Sequence, residues 1–377
     1  MIRRLKTPAV VYFLRVVFLL ALLYLFLSAI TLMGGSFKLL GKGVAETLIQ
    51  TTSNPFIGLL IGLLVTSIVQ SSSVTTSMVV ALVSGGALSI QGAIPIVMGA
   101  NMGTTITCAI VSVGHITRND EFERAYAGAT VHDFFNVLSV AVLLPLELVT
   151  HWMQRSASFL ASVFYGVEAS AFVSPFKVAV KPFAKFIQHL LSDSAGLSPK
   201  ATGIFGIIIA CTFIFIALTY MVKLMRVVFA ERVEGAVHKI FGANAYLTLL
   251  IGVTITALVQ SSSITTSILV PLLGAGVLTL EHAFPITVGA NIGTTVTALL
   301  AALAGNQAGL TIAFVHLIFN LAGTFLFFVI KPLRRIPLYM ARTMAGYAVR
   351  NKKIVFIYIA MLFFVIPITG VLLTRLF

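Results

Sequence analysis

Two copies of one short polar string lie in otherwise apolar stretches of this chain. Gln70–Ser77 reads QSSSVTTS and Gln260–Ser267 reads QSSSITTS. A second pair follows at the same offset, GANMGTT at Gly99–Thr105 and GANIGTT at Gly289–Thr295. Hard cations such as Na⁺ prefer oxygen ligands, and N–H groups freed at a helix start bind anions. The four strings can therefore supply sites for a cation, an anion or both.

Small polar residues also pack helices together in membranes, so a single such string would be explained as well by packing. Two matched pairs are instead typical of secondary transporters, whose inverted repeats carry broken helices that meet near the midplane. The repeat is wider than the strings, since Asn54 matches Asn244 and His132–Asn136 corresponds to His316–Asn320. In the last two segments each His and Asn are four residues apart and share a helix face.

The region around the polar strings contains no fixed charge. Asp, Glu, Lys and Arg are all absent from residues 54–114, 244–280 and 283–315. A carrier of divalent metals would be expected to have carboxylates here, and an anion would find no cationic side chain. Because a buried unpaired anion is very costly, the anion must enter together with cations that neutralise it. A net positive complex would also use the membrane potential, at about 2.3 kcal/mol per charge per 100 mV.

Composition indicates which elements position these strings. The 377-residue chain is 59% hydrophobic and 10% charged, with a mean hydropathy of +1.06, whereas a soluble domain carries roughly 25% charged residues. Apolar runs long enough to cross a bilayer predict an all-α polytopic membrane protein, not a β-barrel. The predicted spans are 10–32, 93–113, 126–148, 203–225, 284–304, 310–330 and 354–374.

The net charge of +14 would suggest nucleic acid in a soluble protein. Here Lys and Arg cluster between the apolar runs, as the positive-inside bias predicts, and no nucleic-acid partner is expected. The basic residues Arg3, Arg4 and Lys6 predict a cytoplasmic N-terminus. The apolar stretch 16–33 is too long for a signal-peptide core and is interpreted as a first transmembrane helix.

The polar strings interrupt apolar arms that are too short to span. In Pro55–Ile90 and Ala245–Leu280 the arms on either side of QSSS have about 14 residues, which predicts re-entrant hairpins. Three spans separate the two hairpins, so they are expected to enter from opposite sides. The number of spans between the hairpins stays odd only if residues 157–176 form an amphipathic surface segment that does not cross the membrane.

The predicted fold is therefore an all-α polytopic membrane protein with two inverted-topology repeats, each a re-entrant hairpin carrying QSSS followed by a broken helix. The expected organisation begins with an N-terminal transmembrane helix and connector (1–53) and a first repeat (54–148). An extracytoplasmic amphipathic connector (149–200) leads to a second repeat (201–330), and the chain closes with an interfacial helix and a C-terminal transmembrane helix (331–377).

The paired QSSS strings, the paired GAN-x-GTT strings and AGATVHDFFN at Ala127–Asn136 resemble the type II sodium-dependent phosphate cotransporters. The resemblance covers about 56–320, and the short chain resembles a bacterial member. It implies Na⁺-coupled uptake of inorganic phosphate by alternating access and no enzymatic activity. It also implies no cofactor, Na⁺ being a co-transported ion, and a multi-pass protein of the bacterial inner membrane. A homodimer is plausible by analogy with elevator-type dicarboxylate transporters.

The resemblance also implies binding residues. It assigns one sodium site to Gln260, Ser261, Thr294 and Thr297. The repeat makes Gln70, Ser71, Thr104 and Thr107 the corresponding set. The candidate phosphate contacts are Gln70, Ser71, Ser72, Ser73, Asn101, Ser261, Ser262, Ser263 and Asn291.

Other functions stay open at this point. A carrier of another small anion, such as a dicarboxylate or sulfate, would need the same uncharged site. An intramembrane serine hydrolase using Ser72 or Ser262 would need a paired base and an oxyanion site, and no nucleophile motif is present. A purely structural membrane scaffold would not need buried polar tips.

The roles of the ionisable residues are also open. His132 and His316 could relay protons, or they could hydrogen-bond Asn136 and Asn320 and brace the repeats. Asp133 could pair with Arg124 or lie near a cation. The extra acidic residue of electrogenic relatives has no clear equivalent here, Asp120 being one candidate, so stoichiometry is not predicted.

Overall fold

The computed structural model describes residues 8–165, 175–240 and 244–373, and within these residues every regular element is a helix. The helices in chain order are α1 (Pro8–Leu39), α2 (Lys42–Thr52), α3 (Pro55–Val69), α4 (Ser72–Gly85), α5 (Ile90–Gly103), α6 (Ile106–Val113), α7 (Asn119–Thr150), α8 (Trp152–Tyr165), α9 (Pro175–His189), α10 (Pro199–Ile240), α11 (Ala245–Val259), α12 (Ser262–Gly274), α13 (Leu280–Ala302), α14 (Gln307–Thr324), α15 (Lys331–Arg350), α16 (Lys353–Ala360) and α17 (Ile366–Leu373). Short π-helical turns follow α9, α14 and α16, at Leu190–Ser194, Phe325–Val329 and Met361–Val365.

Seven segments of the described chain are long and apolar enough to cross a bilayer, and each overlaps one of the seven predicted spans. They are Val10–Leu39, Ile90–Val113, Asn119–Thr150, Pro199–Phe229, Leu280–Ala302, Gln307–Val329 and Lys353–Leu373. The prediction of an all-α polytopic membrane protein is confirmed. Arg3, Arg4 and Lys6, from which a cytoplasmic N-terminus was predicted, lie outside the described residues.

Each QSSS string lies at the turn of a helical hairpin. Asn54 caps α3 by accepting from two backbone N–H groups, and Asn244 caps α11 in the same way through Leu247. Gln70 follows the end of α3 and Gln260 follows the end of α11, both in the left-handed conformation with φ of 55° and 61°. An arm of 15 residues is about 22 Å long, at 1.5 Å per residue, which is shorter than a bilayer core of about 30 Å.

The first arm of each hairpin packs closely on the helix that carries the second polar string. α3 lies along α5, and α11 lies along α13. A Cβ atom added to Gly103 would lie 2.6 Å from the carbonyl oxygen of Leu63, and one added to Gly293 would lie 2.6 Å from that of Val253. Only glycine permits this approach of two backbones, and small residues serve the same purpose in other membrane helix pairs.

The bases of the two hairpins lie at opposite ends of α13. The side chain of Asn306, just after α13, donates to the carbonyl oxygen of Ser84 at the base of the first hairpin, 3.1 Å away. The base of the second hairpin, at Gly274, is joined to the start of α13 by a five-residue connection. α13 has 23 residues and is therefore about 35 Å long. We call the end of the bundle at Ser84 the upper end and the end at Gly274 the lower end.

The connector between the repeats contains two shorter helices that do not meet the length requirement for a span. α8 has 14 residues and packs against α14. It begins after a sharp reversal, where the Glu147 carboxylate accepts from the backbone N–H groups of Met153 and Gln154. The part of the predicted surface segment at 166–174 lies outside the described residues.

One expectation about the repeats needs correction. After the first hairpin a turn at Thr104 and Thr105, both in the right-handed helical conformation, separates α5 from α6 within one 24-residue span, and the counterpart α13 is continuous, so neither is a bent, broken helix. At this turn, Thr105 N–H donates to the carbonyl of Met102 and Cys108 N–H to that of Thr105, which is three-residue bonding of a tight turn. The Gly-Thr-Thr sequence is identical in the two repeats, so the local sequence does not decide this difference.

Candidate functional site

The tip of the second hairpin is closed by contacts that join the two repeats. The Gln260 side chain is 7% exposed, and its Oε1 atom accepts from the Thr297 hydroxyl on α13 at 2.9 Å. The Ser73 hydroxyl, from the first hairpin, lies 3.4 Å from the same Thr297 oxygen. Side-chain oxygen atoms of three predicted binding residues from both hairpins and α13 are therefore neighbours.

The glutamine of the first hairpin has a different environment. Gln70 is exposed, whereas its counterpart Gln260 is buried. The Thr107 hydroxyl, counterpart of Thr297, is buried and has no hydrogen-bond partner. Ser71 is partly buried and caps α4 by accepting from Val74 N–H at 3.3 Å. Equivalent residues thus have different environments at the two tips.

Both hairpins present the start of a helix at their tips. Ser72 and Ser262 are the first residues of α4 and α12 and are buried. The first four N–H groups of a helix have no partner within it, and they attract anions together with the helix dipole. Because Ser71 and Ser261 each cap only one of these groups, the others are available to an anion. The remaining candidates, Ser73 and Ser263, are the second residues of these helices.

Matching hydroxyl pairs hold the two arms of each hairpin together. The Thr66 hydroxyl donates to that of Thr75 at 2.9 Å, and Thr256 and Thr265 lie 2.8 Å apart in the second hairpin. All four residues are buried. The hairpin turns are therefore fixed from within, and the tip residues are positioned by rigid arms.

The two other threonines of the predicted sodium sites bond within their own helices. The Thr104 hydroxyl donates to the Ala100 carbonyl at 3.2 Å, and the Thr294 hydroxyl donates to the Ala290 carbonyl at 2.9 Å. A hydroxyl that donates still has acceptor capacity. Their oxygen atoms can therefore contact a cation without breaking these bonds.

Asn101 and Asn291 are placed in a buried polar network between the repeats. His132 Nε2 lies 2.7 Å from Asn291 Oδ1, and His316 Nε2 lies 3.3 Å from Asn101 Oδ1. The amide of Asn291 also donates to Asn136 Oδ1 at 2.7 Å. The ring of each histidine thus contacts an asparagine of the other repeat, while Asn320, four residues ahead of His316, donates to the His316 backbone carbonyl at 2.9 Å. In this arrangement Asn101 and Asn291 brace the repeats and have their side-chain groups engaged.

The same network is relevant to the alternative that the chain is an intramembrane serine hydrolase. A serine nucleophile needs a base within hydrogen-bond reach. The Nε2 atoms of His132 and His316 are directed to asparagine oxygens, not to Ser72 or Ser262. Among the described residues, neither histidine ring is placed as a base for Ser72 or Ser262.

Asp133 is a buried carboxylate whose partner was not predictable. Its Oδ2 atom accepts from the Tyr358 hydroxyl at 3.1 Å, while Oδ1 is buried without a hydrogen-bond partner. Arg124 is not its partner, since that guanidinium donates to the carbonyls of Leu273 and Gly274. Asp120 is exposed at the start of α7. In the sequence, Asp133 stands out because it is an acidic residue within a predicted span. Its partner Tyr358, however, comes from the C-terminal helix.

The chain is similar to known proteins over most of its length. The family model described as Na⁺/Pi-cotransporter matches residues 25–169 and 213–366. Human sodium-dependent phosphate transport protein 2B is 34% identical over 445 residues, which is 94% of this chain and 64% of that protein. Rat sodium-dependent phosphate transport protein 2A is 32% identical over 426 residues, which is 94% of this chain and 67% of that protein.

A third relative, sodium-dependent phosphate transport protein 2B from Pongo abelii, gives the same identity and coverage as the human protein. This chain thus spans 64% of the length of the 2B relatives that it matches. No solved structure shows a significant match to the chain.

Proposed function

Because this chain belongs to the Na⁺/Pi-cotransporter family, we propose that it carries inorganic phosphate across a membrane together with Na⁺ by alternating access. The chain is a multi-pass membrane protein with seven candidate spans in its described part. The observation that carries the proposal is the contact of Ser73, Thr297 and Gln260, in which oxygen atoms from both repeats meet in a region without fixed charge.

The proposed sodium ligands follow from this contact. Gln260, Ser261, Thr294 and Thr297 form one site in the proposal, and the neighbouring Ser73 hydroxyl adds an oxygen from the other repeat. Gln70, Ser71, Thr104 and Thr107 form the corresponding site of the first repeat. The buried, unpaired hydroxyl of Thr107 supports this second set, because a buried polar atom without a partner is costly unless a ligand satisfies it.

The proposed phosphate site lies at the two helix starts. The free N–H groups of α4 and α12 and the serine hydroxyls beside them are the donors. Its members in the proposal are Gln70, Ser71, Ser72, Ser73, Asn101, Ser261, Ser262, Ser263 and Asn291. Asn101 and Asn291 would first have to exchange the hydrogen bonds that they make across the repeats. Bound Na⁺ would supply the positive charge that the side chains lack.

The two tips supply a physical basis for alternating access. Equivalent glutamines are buried at one tip and exposed at the other. If the repeats exchange these two conformations, the exposed glutamine alternates between the two tips, as the inverted repeats of other transporters exchange conformations. The separation of the hairpin bases to opposite ends of α13 supports such an inverted arrangement.

Asp133 belongs to the proposal as a third place where a cation is bound, beside the two sodium sites. Its Oδ1 atom is buried and unpaired, and a buried carboxylate is stabilised by a cation much more than by a single phenol hydroxyl.

The finer assignments of the proposal are a bacterial inner membrane, a cytoplasmic N-terminus and a homodimer. Chemical crosslinking in the membrane would test the dimer.

Uptake into proteoliposomes tests the main proposal. Purified protein is reconstituted, and accumulation of radiolabelled phosphate is followed after an inward gradient of Na⁺ or of choline is imposed. We expect accumulation with Na⁺ only, and its loss in Gln260→Ala, with Gln154→Ala on α8 as a matched control. Equal uptake with choline would refute Na⁺ coupling. Uptake that sulfate or succinate inhibits as strongly as unlabelled phosphate would refute phosphate as the substrate.

A further inference from the structure

A cavity of about 350 Å³ lies at the upper end of the bundle, between the ends of α1 and α4 and the length of α9. Four lysines line it, Lys38 from α1 and Lys177, Lys181 and Lys185 from α9, together with the amide of Gln188. Among the described residues that line the cavity none is acidic. The proposed transport mechanism uses none of these side chains.

The lysines are held together by the fold. Lys177, Lys181 and Lys185 follow at intervals of four residues and share one face of α9, while Val180 and Ala184 are buried beneath. The Lys177 ammonium reaches the Gly305 carbonyl at 3.4 Å.

The lysines of the cavity also repel one another. Burial lowers the pKa of Lys177, and the nearby charges of Lys38 and Lys181 lower it further. A cluster of like charges at close range attracts counter-ions of opposite sign.

The usual explanation for membrane-protein lysines does not account for this cluster. The positive-inside bias gathers Lys and Arg on one side of the membrane. The basic helix α15 lies at the lower end, where Arg342 pairs with Glu281 at the start of α13. The lysines of the cavity lie at the opposite end, near Asn306 and the end of α13. They therefore need a reason other than topology.

The cavity is separate from the candidate transport site. Both touch α4, but Ser72 at its start lies at the hairpin tip and Gly85 at its end lines the cavity. A helix of 14 residues is about 20 Å long. An anion in the cavity is therefore not the anion bound at the tip.

We propose that this lysine cavity is a second anion site that binds a phosphate group, as free inorganic phosphate or as the headgroup of an anionic lipid. Lysine ammonium groups bind phosphate as mobile point charges, and charge-assisted hydrogen bonds are the stronger ones. The headgroup source is compatible with α9, because Phe176, Val178 and Phe186 are exposed on a helix that also carries a lysine face, which is the pattern of helices at a membrane surface.

Protection of lysine amines from acetylation tests the site directly. Protein in nanodiscs is treated briefly with acetic anhydride, in choline buffer without Na⁺, and acetylation of each lysine is measured by mass spectrometry. One arm uses phosphatidylcholine discs with added inorganic phosphate. The other uses discs that contain phosphatidylglycerol and no phosphate. Phosphatidylcholine discs without phosphate are the ligand-free control, and each arm is repeated with Na⁺ in place of choline. Protection of Lys177 and Lys181, with exposed Lys200 unchanged, is expected in at least one arm, and the arm identifies the source.

Two outcomes would overturn the proposal. The first is equal acetylation of the cavity lysines in both arms and in the ligand-free control. The second is protection that appears only when Na⁺ is present, because that would report a change at the transport site. The readout is binding without Na⁺, so it does not depend on whether the chain transports phosphate.

A pair of matched variants completes the test. Lys181→Gln/Lys185→Gln removes two charges from the cavity, and Lys200→Gln/Lys353→Gln removes two exposed charges elsewhere. We expect the cavity variant to need about tenfold more phosphate, or more anionic lipid, to protect Lys177. The control variant should match the wild type. Identical protection curves for the two variants would contradict the assignment of the ligand to this cavity.

Discussion

The Nε2 atom of His132 lies 2.7 Å from the Oδ1 atom of Asn291, although 159 residues separate the two in the chain. The same relationship occurs in reverse between His316 and Asn101 at 3.3 Å. The two contacts join equivalent residues of the two repeats in reciprocal fashion. All four side chains are buried, so the network joins the two repeats where water cannot replace a lost partner.

Removing one histidine should therefore destabilise the protein. His132→Ala leaves Asn291 Oδ1 buried without its partner, which costs about 1–3 kcal/mol, together with the cavity left by the ring. Thermal unfolding in detergent should show a clearly lower midpoint. His189→Ala is the control, because His189 is exposed in a surface pair with Asp193 that contributes little. An unchanged midpoint for His132→Ala would show that the network does not brace the repeats.

The hydroxyl of Thr297 should matter for the Na⁺ dependence of uptake. Thr297→Val keeps the shape but removes the oxygen that lies between Gln260 and Ser73. We expect the Na⁺ concentration for half-maximal phosphate uptake to rise about tenfold, which corresponds to about 1.4 kcal/mol. Thr254→Val, on the exposed side of α11, should behave as the wild type. A wild-type Na⁺ dependence in Thr297→Val would remove this residue from the sodium site.

The close packing of the second hairpin gives a test with a matched substitution. In Gly293→Ala the new Cβ would lie 2.6 Å from the Val253 carbonyl oxygen, so α11 and α13 must separate, at a cost of about 1–3 kcal/mol. Gly346→Ala on α15 meets no atom within 4 Å and should stabilise its helix by up to about 1 kcal/mol. Unfolding midpoints should therefore shift in opposite directions. A midpoint for Gly293→Ala at or above the wild-type value would contradict the close approach.

Arg124 should hold the base of the second hairpin. Its guanidinium donates to the Leu273 and Gly274 carbonyls at the end of α12, where a cation also interacts favourably with the helix dipole. Arg124→Gln should increase hydrogen exchange in 262–279 selectively, because the last turn of α12 loses its partners. Arg118→Gln is the control, since Arg118 is exposed and pairs with Glu121 on its own segment. Equal exchange in the two variants would mean that Arg124 does not fasten the hairpin.

Several features of the site were accessible to sequence reasoning because they depend on local patterns. The polar strings, the short arms on either side of them and the absence of charge near them all follow from residue order. The capping residues Asn54 and Asn244 and the close-packing glycines recur at equivalent positions in both repeats, and the structure uses them alike. Repetition therefore made a weak local signal strong.

The partners of the buried polar side chains were not accessible in this way. His132 and Asn136 share a helix face, which suggested that they bond to each other, but the structure pairs His132 with Asn291. Asp133 finds Tyr358 rather than Arg124. A side chain on a helix face is within reach of any helix packed there, and sequence spacing does not say which helix that is.

By itself the sequence determined that this chain is a polytopic helical membrane protein, where its spans lie, and that two uncharged polar tips interrupt it. These properties follow from hydropathy and length, which each segment carries within its own residues. The tertiary structure alone decided that Gln260 is buried against Thr297 while Gln70 is exposed, and that α13 is continuous while a turn separates α5 from α6. Identical strings differ in this way because burial and partnership depend on the surrounding helices, and one chain can place two equal sequences in unequal surroundings.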